Sequence, residues 1–285
     1  MPQPILAQLT VTHVEPLGGI DAQAAFFLMR LTLPPWDGWK PGQFIMLRPA
    51  GGDAGRLWGR PFSICRADDA NLCVFFQARG RATMAMAEFA TGTILDAWGP
   101  LGNALAVEDD TPTLLLAGGV GIAPFVGYVH AHPRPENLIM EFGHRMPLPC
   151  YPFEGIRTKI SANAHREKEA GDREGFLHLL DDRIRQFSAE GLVLACGPTP
   201  FLEAVQTFSL RYKARTQLCL ETRMACGIGA CLGCVVKAAL PPKARPDRKM
   251  PEKYAPPGSA ARAEYHHVQT CICGPNFWAD TVSLR

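Results

Sequence analysis

Through the first hundred residues, apolar positions come in short runs rich in β-branched and aromatic side chains, separated by Gly, Pro and Asp clusters. The pattern predicts strands over residues 5–14, 24–33, 43–48, 61–66 and 72–78. A helical stretch at 83–89 follows Gly80, and another strand at 93–98 runs into Gly99-Pro100-Leu101-Gly102-Asn103. Evenly spaced short strands of this kind predict a small β-barrel.

After Asp109-Asp110-Thr111-Pro112 the rhythm changes. A fully apolar strand at 113–117 and strand-length runs at 137–142 and 191–196 alternate with helical patterns at 123–131, 176–187 and 200–208. Strands buried on both faces and alternating with helices predict a parallel, helix-covered sheet. Residues 161–174 carry mixed charges and read as a solvated loop or an exposed helix. From residue 216 onward, strands are predicted at 217–222 and 233–240. Residues 241–257 hold six prolines, which excludes regular helix and central strand there. With six basic and two acidic residues from Lys237 to Lys253, this stretch is expected to be a basic, extended surface excursion, with disorder as the alternative.

A length of 285 residues fits two or three domains. The formal charge of +2 gives no reason to expect nucleic-acid binding. No run of about 18 apolar residues, the length that could span a membrane, occurs in the sequence. The N-terminus lacks the basic start and apolar core of a secretory signal, so a cytoplasmic location is expected. That location makes the ten cysteines the unusual number, because thiols stay reduced there. Cys65, Cys73, Cys150, Cys196 and Cys219 are scattered, whereas Cys226, Cys231, Cys234, Cys271 and Cys273 fall in the last fifth of the chain.

Cys226-Gly227-Ile228-Gly229-Ala230-Cys231-Leu232-Gly233-Cys234 has the spacing C-x4-C-x2-C. With a fourth, distant cysteine it matches the plant-type [2Fe–2S] arrangement. Three thiolates on one tight loop require a backbone that turns its N–H groups toward sulfur, and Gly227, Gly229 and Gly233 supply the conformational freedom. The alternative is zinc, which usually takes paired C-x2–4-C knuckles; only one C-x2-C is present. By position, Cys271 and Cys273 both qualify as the fourth ligand, and Cys219, inside an apparent strand, is a poor candidate.

Four other segments carry candidate chemistry. Arg60-Pro61-Phe62-Ser63 offers a cation for a pyrophosphate, a flat apolar ring and a hydroxyl, all that a flavin needs from one short strand; a plain strand with a surface arginine is the alternative. Gly80 and Thr83 open a helix, either as a phosphate-binding N-terminus or as an ordinary cap. Gly118-Gly119-Val120-Gly121 follows one apolar strand and Cys196-Gly197-Pro198 another, each before a helix. In an open parallel sheet, ligands bind at such carboxyl ends.

Barrel, Arg-x-Phe-Ser, Gly-Pro-Leu-Gly-Asn, Gly-Gly-x-Gly-x-x-Pro and Cys-Gly-Pro, in that order, resemble the ferredoxin–NADP reductase superfamily. The stretch from Glu221 to Cys234 resembles the electron-transfer subunits of class 1B dihydroorotate dehydrogenases. The resemblance implies an FAD-binding β-barrel over 1–107, an NAD-binding α/β domain over 108–215 and a [2Fe–2S] domain over 216–285. It implies Arg60, Pro61, Phe62, Ser63, Gly80 and Thr83 at FAD, and Gly119, Gly121, Cys196, Gly197 and Pro198 at nicotinamide. Cys226, Cys231, Cys234 and Cys271 would hold the cluster, because the family's fourth ligand precedes Gly-Pro-x-Phe by three positions, here Gly274-Pro275-Asn276-Phe277.

The implied function is electron transfer in pyrimidine biosynthesis. Electrons would pass from the FMN of a dihydroorotate dehydrogenase catalytic subunit, through [2Fe–2S] and FAD, to NAD+, within a heterotetramer. No acid–base dyad is implied, since hydride moves directly between rings. Two rivals are a stand-alone NAD(P)H-dependent ferredoxin or oxygenase reductase and a non-catalytic iron–sulfur sensor. The chain departs from the family in three places: Ala82 replaces the second glycine of Gly-x-Gly-Thr, residues 161–174 lack the expected acidic, glycine-containing segment, and the proline-rich insertion is longer.

Overall fold

A computed structural model describes residues 4–18, 26–51, 58–239 and 265–284 of the chain. The proline-rich stretch at 241–257 lies outside the described residues. The strands β1 (Ile5–Leu17), β2 (Phe26–Thr32), β3 (Phe44–Pro49), β4 (Arg60–Ala67), β5 (Asn71–Gln77) and β6 (Ile94–Leu101) close a barrel in the order β1-β2-β5-β4-β3-β6. Alternation decides its interior: Leu9, Val11, Met29, Leu31, Ile45, Leu47, Phe62, Ile64, Val74 and Phe76 pack inside. The helix α1 (Arg81–Ala87) follows β5.

In β3, Phe44, Ile45, Met46 and Leu47 are all buried, so the strand does not alternate. The reason is that it is covered twice. Ile45 and Leu47 face the barrel core, while Phe44 and Met46 lie under the cysteine loop with Leu101, Cys234 and Cys271.

A second sheet is built from β7 (Thr113–Gly118), β8 (Leu138–His144), β9 (Ser161–Arg166), β10 (Leu192–Cys196), β11 (Thr216–Cys219) and β14 (Asn276–Trp278), in the order β14-β11-β10-β7-β8-β9. All neighbours are parallel except β14, which runs antiparallel to β11. Helices α2 (Ala123–Ala131), α3 (Phe153–Arg157), α4 (Ala170–Phe187) and α5 (Thr199–Tyr212) accompany this sheet. The residues from Ala123 to Val129 are all buried, as an apolar-all-round helix must be. α2 is wedged between sheet and barrel: a Cβ on its Gly127 would strike the Trp39 ring and come within 2.9 Å of the Cys65 carbonyl oxygen in β4.

One expectation is corrected here. Residues 161–174 are neither loop nor a single exposed helix. They form the edge strand β9 and the first turn of α4, which starts at Ala170 because Asp172 accepts hydrogen bonds from the backbone N–H groups of Lys168 and Glu169. Strand β9 escaped the pattern because this edge strand sets only the small Ala162 and Ala164 between polar residues, with no large apolar side chain to mark a face. Beyond residue 216, β11 and β14 pair into the α/β sheet while β12 (Val235–Ala239), β13 (Tyr265–Gln269) and β15 (Val282–Ser283) form a small sheet of their own in the order β13-β12-β15. The last helix, α6 (Thr270–Cys273), leads from β13 back to β14.

Candidate functional site

The cysteine loop leaves β11 and wraps onto the outer face of β3 and β6. Gly227 (φ 70°) and Gly229 (φ 80°) take left-handed backbone. A Cβ on Gly227 would press into Met46, 2.6 Å from its Cγ, so this glycine also permits close approach to the barrel. The third left-handed residue is Leu232 (φ 55°), not Gly233. A leucine there costs about 1–2 kcal/mol, which the surrounding loop must offset. The Trp98 indole of β6 donates to the Cys226 carbonyl oxygen at 2.8 Å, and Gln269 donates to that of Gly229 at 2.6 Å.

The four predicted ligands come together as two pairs. Cys231 N–H donates to Cys226 Sγ at 3.4 Å, and the Cys234 and Cys271 sulfurs are 3.2 Å apart. Backbone hydrogen bonds, from Gly233 first and then around Cys226, bring the exposed Cys231 thiol down to about 7. Burial first, then the Cys234 thiol, pushes Cys271 up. Cys273, two residues on in α6, turns instead toward the core of the α/β sheet. A mononuclear zinc site gathers its ligands around one point. Among the described residues no three His, Cys, Asp or Glu side chains do so. Two thiol pairs suit a two-iron centre, one pair to each iron, and the sulfur-only donor set fits that chemistry.

The two glycine turns meet at the carboxyl edge of the sheet. Strand order reverses between β7 and β10: the chain adds β8 and β9 on one side of β7, then returns to add β10 and β11 on the other. That reversal is where open α/β sheets bind ligands. Gly119 takes φ 54°. A Cβ on Gly121 would collide with the Cys196 carbonyl and lie 2.7 Å from Gly197 N; one on Gly118 would lie 3.0 Å from Pro198 Cδ. Cys196 stands in register with Cys219 of the neighbouring strand. The hydrogen bond with Cys219, then burial, pushes the Cys196 thiol well up, so it stays protonated.

The barrel residues are placed less uniformly. Pro61 and Ser63 lie on the outer face of β4, the side on which Cys65 packs against α2. Gly121 and Gly127 are thus ends of one helical segment about 9 Å long that joins the glycine turn to β4. The Arg60 guanidinium donates to the Trp58 and Gly59 carbonyls at 3.0 and 3.2 Å. Phe62 requires a correction. Its ring is 7% exposed, inside the barrel and edge-on to Phe76 at 5.8 Å, so it is not available to stack on a flat cofactor. Strand alternation sends it inward with Ile64. The Thr83 hydroxyl accepts from the N–H groups of Arg79 and Gly80 at 3.0 and 3.2 Å, the capping alternative for this helix start.

Sequence reasoning missed a groove of about 360 Å³ at the carboxyl end of β9, lined by His165, Arg166, Gly171, Asp172, Gly175, Phe176 and Leu179. Behind it lies Glu141, fully buried in β8. It accepts from His165 Nε2 at 2.6 Å, Arg183 Nε at 2.9 Å and Asn163 Nδ2 at 3.2 Å. Burial pushes the Glu141 carboxyl up, but the His165 and Asn163 hydrogen bonds and the His165 and Arg183 charges outweigh it and hold it below the usual range. The isolated charge of Glu141 in an apolar strand was the available signal.

A family model for the iron–sulfur cluster binding domain of dihydroorotate dehydrogenase B matches residues 221–245. The chain is 31% identical over 251 residues to the dihydroorotate dehydrogenase B (NAD(+)) electron transfer subunit of Caldanaerobacter subterraneus subsp. tengcongensis, covering 87% of this chain and 89% of that one. It is 32% identical over 255 residues to the subunit of the same name from Listeria welshimeri, covering 86% and 87%. Among solved structures, an NADH-dependent reduced ferredoxin–NADP oxidoreductase superposes with a TM-score of 0.73 at 20% identity, over 96% of this chain and 90% of that one, a likeness of fold. With its reductase-like barrel and sheet, its paired cysteines and relatives this similar over most of their length, the chain belongs to the family of dihydroorotate dehydrogenase B electron transfer subunits.

Proposed function

We propose that the chain passes electrons from a dihydroorotate dehydrogenase catalytic subunit to NAD+, as its relatives' name, "electron transfer subunit", suggests. When bound, FAD exchanges hydride with nicotinamide and single electrons with a [2Fe–2S] centre. The observation that carries this reading is the pairing of Cys226 with Cys231 and of Cys234 with Cys271, pressed against the outer face of the barrel.

Each part of the chain has its own task in this reading. Residues 1–107 hold FAD through Arg60, Pro61, Ser63, the backbone at Phe62, and the Gly80–Thr83 turn. Residues 108–215 hold the dinucleotide, with Gly119, Gly121, Cys196, Gly197 and Pro198 at nicotinamide and the groove beside His165 and Arg166 at its far end. That groove is two strands from β7, about 10 Å, on the same edge of the sheet. Residues 216–285 hold the cluster, borrowing β11 and β14 from the neighbouring sheet. The protonated Cys196 packs and shapes its pocket and takes no part as a nucleophile. The assembly is a cytoplasmic heterotetramer with an FMN-containing catalytic chain, acting in pyrimidine biosynthesis; no helix among the described residues is long and apolar enough to cross a membrane.

The test is direct. The purified chain should be yellow-brown, contain FAD, iron and acid-labile sulfide, and bleach on addition of NADH. It should co-purify with an FMN-containing dihydroorotate dehydrogenase. Bleaching without that partner would favour a stand-alone reductase, and a coloured preparation indifferent to NADH would favour a sensor. A colourless, zinc-containing preparation would overturn the reading.

A further inference from the structure

Thr270 opens α6, immediately before Cys271, and its side chain is completely buried. Its hydroxyl has no hydrogen-bond partner among the described residues. Buried hydroxyls are normally paired, because leaving one unmade forfeits its solvation with nothing in return. The backbone of Thr270 is held at both ends. Its N–H donates to the Cys234 carbonyl oxygen at 2.8 Å, and its own carbonyl accepts from Gly274 N–H at 3.0 Å. The residue is thereby clamped between the two segments whose sulfurs, Cys234 and Cys271, lie 3.2 Å apart.

A β-branched side chain on a clamped backbone has few rotamers, so the hydroxyl has little scope to look elsewhere. Nearby backbone acceptors are already engaged: the Cys234 carbonyl by Thr270 itself, that of Gly229 by Gln269, and that of Gly274 by Asn103. Sulfur is the other acceptor that this clamp brings near, since Cys271 is the next residue and the Cys234 carbonyl is held by Thr270 N–H. Among the described residues Thr222 also carries an orphaned buried hydroxyl, but it stands four residues ahead of Cys226, the first cysteine of the loop.

We propose that the Thr270 hydroxyl donates a hydrogen bond to a sulfur of the [2Fe–2S] centre, either a ligand thiolate of the Cys234–Cys271 pair or an adjoining sulfide, and so sets the reduction potential of that centre. This rests on the reading that the four cysteines hold such a cluster. Reduction adds one electron and moves no proton, so the hydroxyl keeps its hydrogen throughout. The added charge makes sulfur a better acceptor, and the bond therefore favours the reduced state. Hydrogen bonds to cluster sulfurs are among the factors that set such potentials.

The experiment uses the full chain as wild type, Thr270→Val and Thr270→Ser, each assayed for iron, acid-labile sulfide and FAD, then titrated potentiometrically by electron paramagnetic resonance. Thr270→Val, matching the shape without the hydroxyl, should lower the reduced-to-oxidised ratio at fixed potential about tenfold, a fall of about 59 mV for one electron. Thr270→Ser should keep the wild-type value. The iron–sulfur stretching bands should also lose part of their deuterium sensitivity in Thr270→Val alone. A fully loaded Thr270→Val with an unchanged potential overturns the proposal, as does an equal fall in Thr270→Val and Thr270→Ser, which marks packing. If Thr270→Val does not load, Thr270→Ala is read in the same way. Loss of the cluster from both while Thr270→Ser loads supports the hydroxyl, and loss from all three overturns it. A wild-type chain without iron and sulfide defeats the cluster reading itself, a result distinct from every outcome that bears on Thr270 alone.

Discussion

Cys271 and Cys273 sit two residues apart in the same short helix, and sequence position alone leaves both eligible as a ligand. The fold separates them, because successive side chains of a helix point about 100° apart. Cys271 is 1% exposed and meets Cys234, whereas Cys273 turns to the other core. Cys271→Ser should therefore abolish the visible absorption and reduced-state resonance of the cluster, and Cys273→Ser should preserve both; the reverse result would reassign the ligand. At the nicotinamide turn, Gly121→Ala should be poorly tolerated, since its methyl group would meet the Cys196 carbonyl. We expect a loss of about 1–3 kcal/mol, the range for overpacking, and slower NADH oxidation. Thermal unfolding and stopped-flow kinetics measure these, and an unperturbed Gly121→Ala would mean the two turns are not in contact. Both the Cys-rich loop and the glycine turns were legible in the sequence because each type of residue is chemically irreplaceable at its site. The inward turn of Phe62 was not legible, because a strand's phase is set only once it joins a barrel.

Strand β9 shows what happens when an element is defined by its partners. It holds no large apolar residue, yet Asn163 and His165 are directed at the buried Glu141 of β8. Removing that charge should be costly, as breaking a buried ion pair commonly loses 3–5 kcal/mol. Here the His165 and Arg183 side chains keep 32% and 31% of their exposure, so water compensates in part and a loss of about 3 kcal/mol or less is expected for Glu141→Gln. The pH dependence gives the sharper test. The Glu141 carboxyl is held below its ordinary value of 4.5, so it stabilises the fold fully above that pH, and the contribution fades as pH falls through the lower, folded value. The stability gap between wild type and Glu141→Gln, read from urea midpoints, should be widest above about pH 5 and close in acid. A gap independent of pH would show that the carboxyl acts by packing alone.

The three sheets are joined by a small number of buried polar contacts. Asn103, just past the barrel, donates to the Asn276 carbonyl at 2.8 Å and to that of Cys273 at 3.2 Å, and accepts from Asn276 N–H at 3.0 Å. It thus fastens the barrel's exit to the segment carrying Cys271. Asn103→Ala leaves these groups unpaired and should lower stability by an amount on the order of 1–3 kcal/mol. The cluster should then be lost in mild denaturant before FAD is released; simultaneous loss of both would show that the segment is not an independent anchor. Trp98, bonded to Cys226, provides the second tie between barrel and loop. Neither contact has a short-range signature, since the partners are 173 and 128 residues apart.

Local chemistry, then, was enough to determine the barrel and parallel-sheet periodicities, the iron–sulfur spacing and the two glycine turns, because each depends on residues near one another along the chain. Tertiary structure decided the rest. It set Cys271 beside Cys234, sent Cys273 to the other core and turned Phe62 inward. It also made an edge strand of residues 161–166 and drew β11 and β14 into the sheet that precedes them. Those outcomes are settled by which surfaces meet in three dimensions, and the pattern of a single segment carries no record of its neighbours.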